Sequence, residues 1–116
     1  MTHTHFISRF IDEILLKVIS LGDSYGYSIS KTIAHMTGGH WQIKEATLYS
    51  GLRRLEKEKY IYAYWGDETQ GGRRKYYGLT PAGHATLAAG ITHWQQAKTM
   101  MDQIFEWRQA DEQTDE

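Results

Sequence analysis

Two groups of residues in this chain carry side chains able to grip a polyanion. Between Lys44 and Lys57, a helical step of about 100° per residue turns Leu48, Leu52 and Leu55 to one side and Thr47, Ser50, Arg53, Arg54 and Lys57 to the other. Short hydroxyl groups near the start of such a helix allow close approach to base edges. The longer cations reach phosphates or, for arginine, the paired acceptors of guanine. Lys44 precedes the helix, whose positive end favours a phosphate. The second group is Gln70-Gly71-Gly72-Arg73-Arg74-Lys75, followed by Tyr76 and Tyr77. Its glycines permit a tight turn, and its three cations occupy the returning strand. A basic hairpin beside a basic helix reads as a phosphate clamp, with Tyr77 the more buried of the two tyrosines.

Charge supports that reading locally rather than globally. The 116 residues sum to a formal net charge of -1. Residues 44–75 hold eight basic side chains against five acidic ones, a local balance of +3. Residues 102–116 hold six carboxylates against Arg108, a local balance of -5. A polyanionic partner is therefore compatible with a near-neutral chain. Hydrophobic content of 41% fits a globular protein, and no run approaches the ~18 apolar residues of a membrane span. Without cysteine or a secretory signal, the expectation is a soluble cytoplasmic protein with no membrane partner.

Other chemistry finds little support. Six histidines invite a metal reading, but His3, His5, His35, His40, His84 and His93 make no compact ligand motif, and no cofactor is expected. Ser24, Ser28, Ser30 and Ser50 lack a readable base and orienting group. Gly-Gly-Arg-Arg is not a nucleotide phosphate loop. The chain is not expected to be an enzyme.

The elements that must position the two basic groups follow from hydrophobic spacing. Phe6, Phe10, Ile14, Leu15, Val18 and Ile19 recur at three and four and predict a helix from Phe6 to Leu21. A second helix is expected from about Tyr27 to Met36, stopped by Gly38 and Gly39, and a third from Glu45 to about Lys59. Extended segments at Ile61–Glu68 and Arg73–Leu79 flank Thr69-Gln70-Gly71-Gly72 as a two-stranded hairpin. Thr80-Pro81 then caps a long final helix. Three helices plus a hairpin make an α+β, mostly α, winged helix-turn-helix. The expected division is residues 1–80 for that domain, 81–108 for the final helix and 109–116 for an acidic flexible tail.

The last helix carries more apolar surface than one small domain can cover. Leu87, Ile91, Trp94, Met101 and Phe105 share a face, with Ile104 at its side and Lys98 within it. A second copy is the economical partner for this stripe. Trp94 is either a packing residue in that interface or, paired with its symmetry mate, a stacking surface for a planar aromatic molecule.

Glu45-to-Ile61 (EATLYSGLRRLEKEKYI), Tyr64-to-Gly83 (YWGDETQGGRRKYYGLTPAG) and Gly22-to-Ile29 (GDSYGYSI) resemble the PadR family of bacterial transcription regulators, over about residues 8–108. The resemblance implies a homodimeric repressor of double-stranded operator DNA, with Gln70 to Lys75 as the wing. By position Thr47, Leu48 and Tyr49 match the family's recognition-helix motif, Tyr49 standing where packing meets DNA. Short members dimerise through the first helix and one C-terminal helix, which places Phe10 in the interface with Leu87, Ile91, Trp94, Met101, Ile104 and Phe105. Trp94 also matches the position at which multidrug-binding members stack planar aromatic effectors, with Lys98 and Met101 further along the helix. Those members carry a carboxylate where this chain has Lys98, which shifts the preference towards neutral or anionic compounds. The alternative is a winged-helix interaction module that uses its basic face for an acidic protein instead of DNA.

Overall fold

The computed structural model describes residues 7–67 and 72–110. A short 3₁₀ turn, Ser8–Phe10, leads into helix α1, Ile11–Ser20. Strand β1, Ser24–Tyr25, precedes α2, Gly26–Met36, and a loop leads to α3, Glu45–Lys57. Strands β2, Ile61–Trp65, and β3, Lys75–Leu79, form the wing, and α4 runs from Pro81 to Glu106. Phe6, His3, His5, Gln70 and Gly71 lie outside the described residues, as do residues 111–116 of the acidic tail.

The core forms where the apolar faces of the first three helices meet. Leu15, Leu16, Ile29, Leu52 and Ile61 are fully buried. Ile11 and Leu16 join the buried face of α1, whereas Ile14 of the expected stripe is only half-buried. Gly51 brings α3 against α1, since a Cβ there would stand 2.7 Å from a Leu15 methyl. The loss of helix propensity at this glycine, about 1 kcal/mol, accompanies a close helix contact.

Strands β2 and β3 pair as the expected two-stranded wing, and a third strand joins their sheet. The sheet has three antiparallel strands in the order β1-β3-β2, with Tyr25 opposite Tyr76 and Ser24 opposite Tyr77. The two residues of β1 are too short a segment to show a two-residue period. The wing strands are shorter than expected because their pairing ends at Trp65 and Lys75. Arg73 and Arg74 consequently stand beyond the ladder, where Gly66 N–H donates to the Arg74 carbonyl at 2.6 Å and Gly72 adopts φ +86°.

Helix α4 begins on two reciprocal devices at Thr80. Its side-chain oxygen accepts from Gly83 N–H at 3.0 Å and donates to the Lys59 carbonyl at 2.7 Å. The cap therefore fixes the helix start to the end of α3. At about 1.5 Å per residue, the 26 residues of α4 extend about 39 Å. Gly90 faces Glu13 of α1, and every residue from Ile91 to Glu106 is exposed.

Candidate nucleic-acid interface

Helix α3 and the wing meet along a groove of about 590 Å³, lined by Tyr25, Gly26, Tyr27, Tyr49, Arg53, Arg74, Lys75 and Tyr77. It joins one cation of the helix to two of the wing on a single surface. Tyr49 is half-buried, with its hydroxyl over Gly26 at the start of α2, where any Cβ would collide with it. Tyr77 is 5% exposed and forms the floor; burial pushes its phenol pKa up, with the nearby Glu56 charge adding to the shift. Tyr76 is the less buried neighbour, in keeping with the expected division.

The wing cations are held by aromatic faces. Arg74 lies 4.7 Å from the Tyr25 ring centre and Arg73 lies 5.9 Å from that of Trp65. A guanidinium over a ring keeps its charge while its flat face is shielded, which fixes its direction at modest cost. Lys75 is 3.7 Å from Glu56 and 5.8 Å from the Tyr77 ring centre. Its charge is therefore partly compensated, so the three wing cations are not equivalent.

The remaining residues of α3 divide between two sides. Ser50, Arg53 and Lys57 are exposed, and Lys44 is exposed at the N-cap position. Thr47 is half-buried, and with Ser50 and Arg54 it borders a separate groove of about 460 Å³ that also includes Ser8, Ile11 and Ala46. Arg54 does not join the groove of Arg53 and the wing. Its guanidinium donates to the Asp12 carboxylate on α1, which raises its pKa further. An ion pair this exposed contributes about 0–1 kcal/mol to stability. Its direction matters more than its strength.

Tyr25, Ala46 and Asp12 escaped the sequence reading. Tyr25 lies inside the GDSYGYSI match and was legible as an aromatic, but its service to Arg74 needs the β1-β3 pairing. Ala46 is exposed on the outward face of the first turn of α3. Asp12 sits 42 positions from Arg54 and offers no local signal.

On α4, Leu87 is 7% exposed and belongs to its own chain's core rather than to the unpartnered stripe. Phe10 is half-buried and meets Trp94 edge-to-face, with ring centres 5.3 Å apart. Ile91, Trp94, Lys98, Met101 and Phe105 remain exposed on that face. Ile104 groups instead with Met100, Gln103 and Trp107 on another side. Among the described residues, no cluster of three histidine, aspartate or glutamate side chains forms a metal site, and no helix is long and apolar enough to cross a membrane.

A compact trihelical body, a sheet that ends in a basic wing and a helix facing that wing define a winged helix-turn-helix protein. Residues 15–89 match the transcriptional regulator PadR-like family, and the chain belongs to that family. An uncharacterized protein of Lysinibacillus sphaericus is 42% identical over 106 residues, spanning 91% of this chain and 97% of its own. A transcriptional regulator from Clostridium thermocellum is 41% identical, with a TM-score of 0.79 over 86% of this chain and 94% of its own. Bacillus subtilis PadR in complex with operator DNA shares the fold at 24% identity, with a TM-score of 0.64 over 72% of this chain and 47% of its own.

Proposed function

We propose that the protein is a homodimeric repressor that reads operator DNA with α3 and clamps the adjacent backbone with its wing. The observation that carries this reading is the shared groove, in which Arg53 of α3 meets Arg74 and Lys75 of the wing. In this reading Ser50 and Arg53 face base edges. Lys44, Lys57, Arg73, Arg74 and Lys75 meet phosphates, and Thr47 and Tyr49 seat the helix. Gly72, whose φ of +86° turns the chain ahead of Arg73, completes the DNA-facing part of the wing. Membership of the family, and a fold shared with a PadR bound to operator DNA, support the DNA-binding reading as a whole. Selection of bound genomic fragments by the purified protein, with competition at varied salt, tests it. The expected result is an enriched sequence whose affinity falls steeply with salt; absence of duplex binding at low salt would favour an interaction module instead.

The proposal extends to a planar aromatic effector at the dimer interface. Trp94 is 41% exposed and packs edge-to-face with Phe10, and Lys98 and Met101 lie further along the helix. Lys98 favours neutral or anionic compounds. Calorimetric titration with an anionic planar dye should show binding that Trp94→Ala weakens at least tenfold while operator affinity is retained. Equal dye affinity in both proteins removes the stacking role. Relief of repression further requires tighter effector binding to a dimer shape that does not fit DNA.

A further inference from the structure

Adjacent arginines on α3 have opposite circumstances. Arg53 opens onto the groove shared with the wing, whereas Arg54 turns back to Asp12 of α1. The Arg54–Asp12 pair is not an internal fastening, because the two side chains retain 46% and 44% of their exposure. The seam between α1 and α3 is closed without it by Ile11, Leu15 and Leu52, packed around Gly51. Yet Arg54 borders the groove that includes Ala46, Thr47 and Ser50 at the N-terminal half of α3. A free guanidinium there stands beside the surface offered to DNA.

We infer that Asp12 is a specificity-determining residue: its carboxylate neutralises Arg54 and holds it off the duplex, suppressing sequence-independent phosphate binding. This rests on the DNA-binding reading above. A cation that finds any phosphate raises affinity for every sequence equally and narrows the gap between operator and other DNA. Pairing that cation with a carboxylate of the same chain leaves discrimination to the residues facing the bases. The competing explanation is purely structural, in which the pair helps seat α3. That explanation requires loss of Asp12 to weaken binding to all DNA.

The decisive comparison uses the full chain on a non-operator duplex and on the selected operator, over a series of salt concentrations. Asp12→Asn should raise non-operator affinity and steepen the logarithmic salt dependence by about 0.9 for each Arg54 that gains a phosphate. The operator-to-non-operator ratio should fall by at least threefold. Asp12→Asn with Arg54→Gln should return the slope to that of the wild type, and Arg54→Gln alone should leave it unchanged. Thermal melting of each variant reports its folding independently. The inference is overturned if Asp12→Asn leaves non-operator affinity and slope unchanged, or if both single variants weaken all binding and lower the melting temperature together. A wild type that binds no duplex at low salt removes the DNA-binding reading and this inference with it. A wild type that binds its operator while Asp12→Asn behaves identically removes only the inference.

Discussion

Single side chains in the wing are tuned by contacts that their types alone do not reveal. Tyr64 donates to Asp23 at 2.6 Å, and its phenol is pushed up to about 12, first by that hydrogen bond. The neutral phenol is the form the fold favours. Its stabilising contribution is therefore complete below pH ~10, the ordinary tyrosine value, and is lost as pH rises towards 12. Absorbance titration of the phenolates should show one tyrosine ionising last, and Asp23→Ala should move it back towards ordinary values. Arg53 and Arg73 separate by a different measurement. Arg73→Ala should weaken all duplexes alike and lower the salt slope by about 0.9 per lost phosphate contact. Arg53→Ala should instead cost about 1–3 kcal/mol at particular base pairs and relax selection there.

At the scale of elements, two glycines show how the same substitution has opposite consequences. A methyl at Gly26 meets the outer end of the Tyr49 side chain, its hydroxyl and adjoining ring carbons, instead of backbone. Gly26→Ala should thus leave the melting temperature nearly unchanged while lowering DNA affinity through displaced Tyr49. A methyl at Gly83 meets the backbone carbonyl of Tyr60, which is fixed by its bond from Thr80 N–H at 3.1 Å. Gly83→Ala should destabilise the protein by about 1–3 kcal/mol, as overpacking does, in chemical denaturation. Gly83 lowers the helix propensity of α4 but lets the helix start close against the Tyr60 carbonyl.

The whole molecule is elongated, 70 × 31 × 20 Å, because α4 leaves the body that caps it. Phe105 is 75% and Ile104 64% exposed, and they lie on different sides of the helix. An arm that is apolar on two sides needs more than one facing surface, and in the proposed dimer a second copy would supply them with its α4 and α1. Phe105→Glu together with Ile104→Glu should yield a monomer by light scattering. Folding of the body should persist, and operator affinity should fall by orders of magnitude as paired half-sites lose simultaneous engagement.

Much of this protein was legible in its residues because local signals there agree with one another. Hydrophobic spacing of three and four marked the helices, Thr80-Pro81 marked the start of α4, and the run from Gly71 to Tyr77 marked a basic wing. Those features depend on neighbours within a turn or two. What the tertiary structure decided were pairings across long separations: β1 on β3, Tyr25 beneath Arg74, Asp12 with Arg54, Glu56 with Lys75, and Leu87 in the core instead of the exposed stripe. A cation's type states that it seeks a partner, but which partner it finds depends on the packing of separate elements. Two adjacent arginines of identical chemistry therefore face different surroundings, and only the arrangement of α1, α3 and the wing distinguishes them.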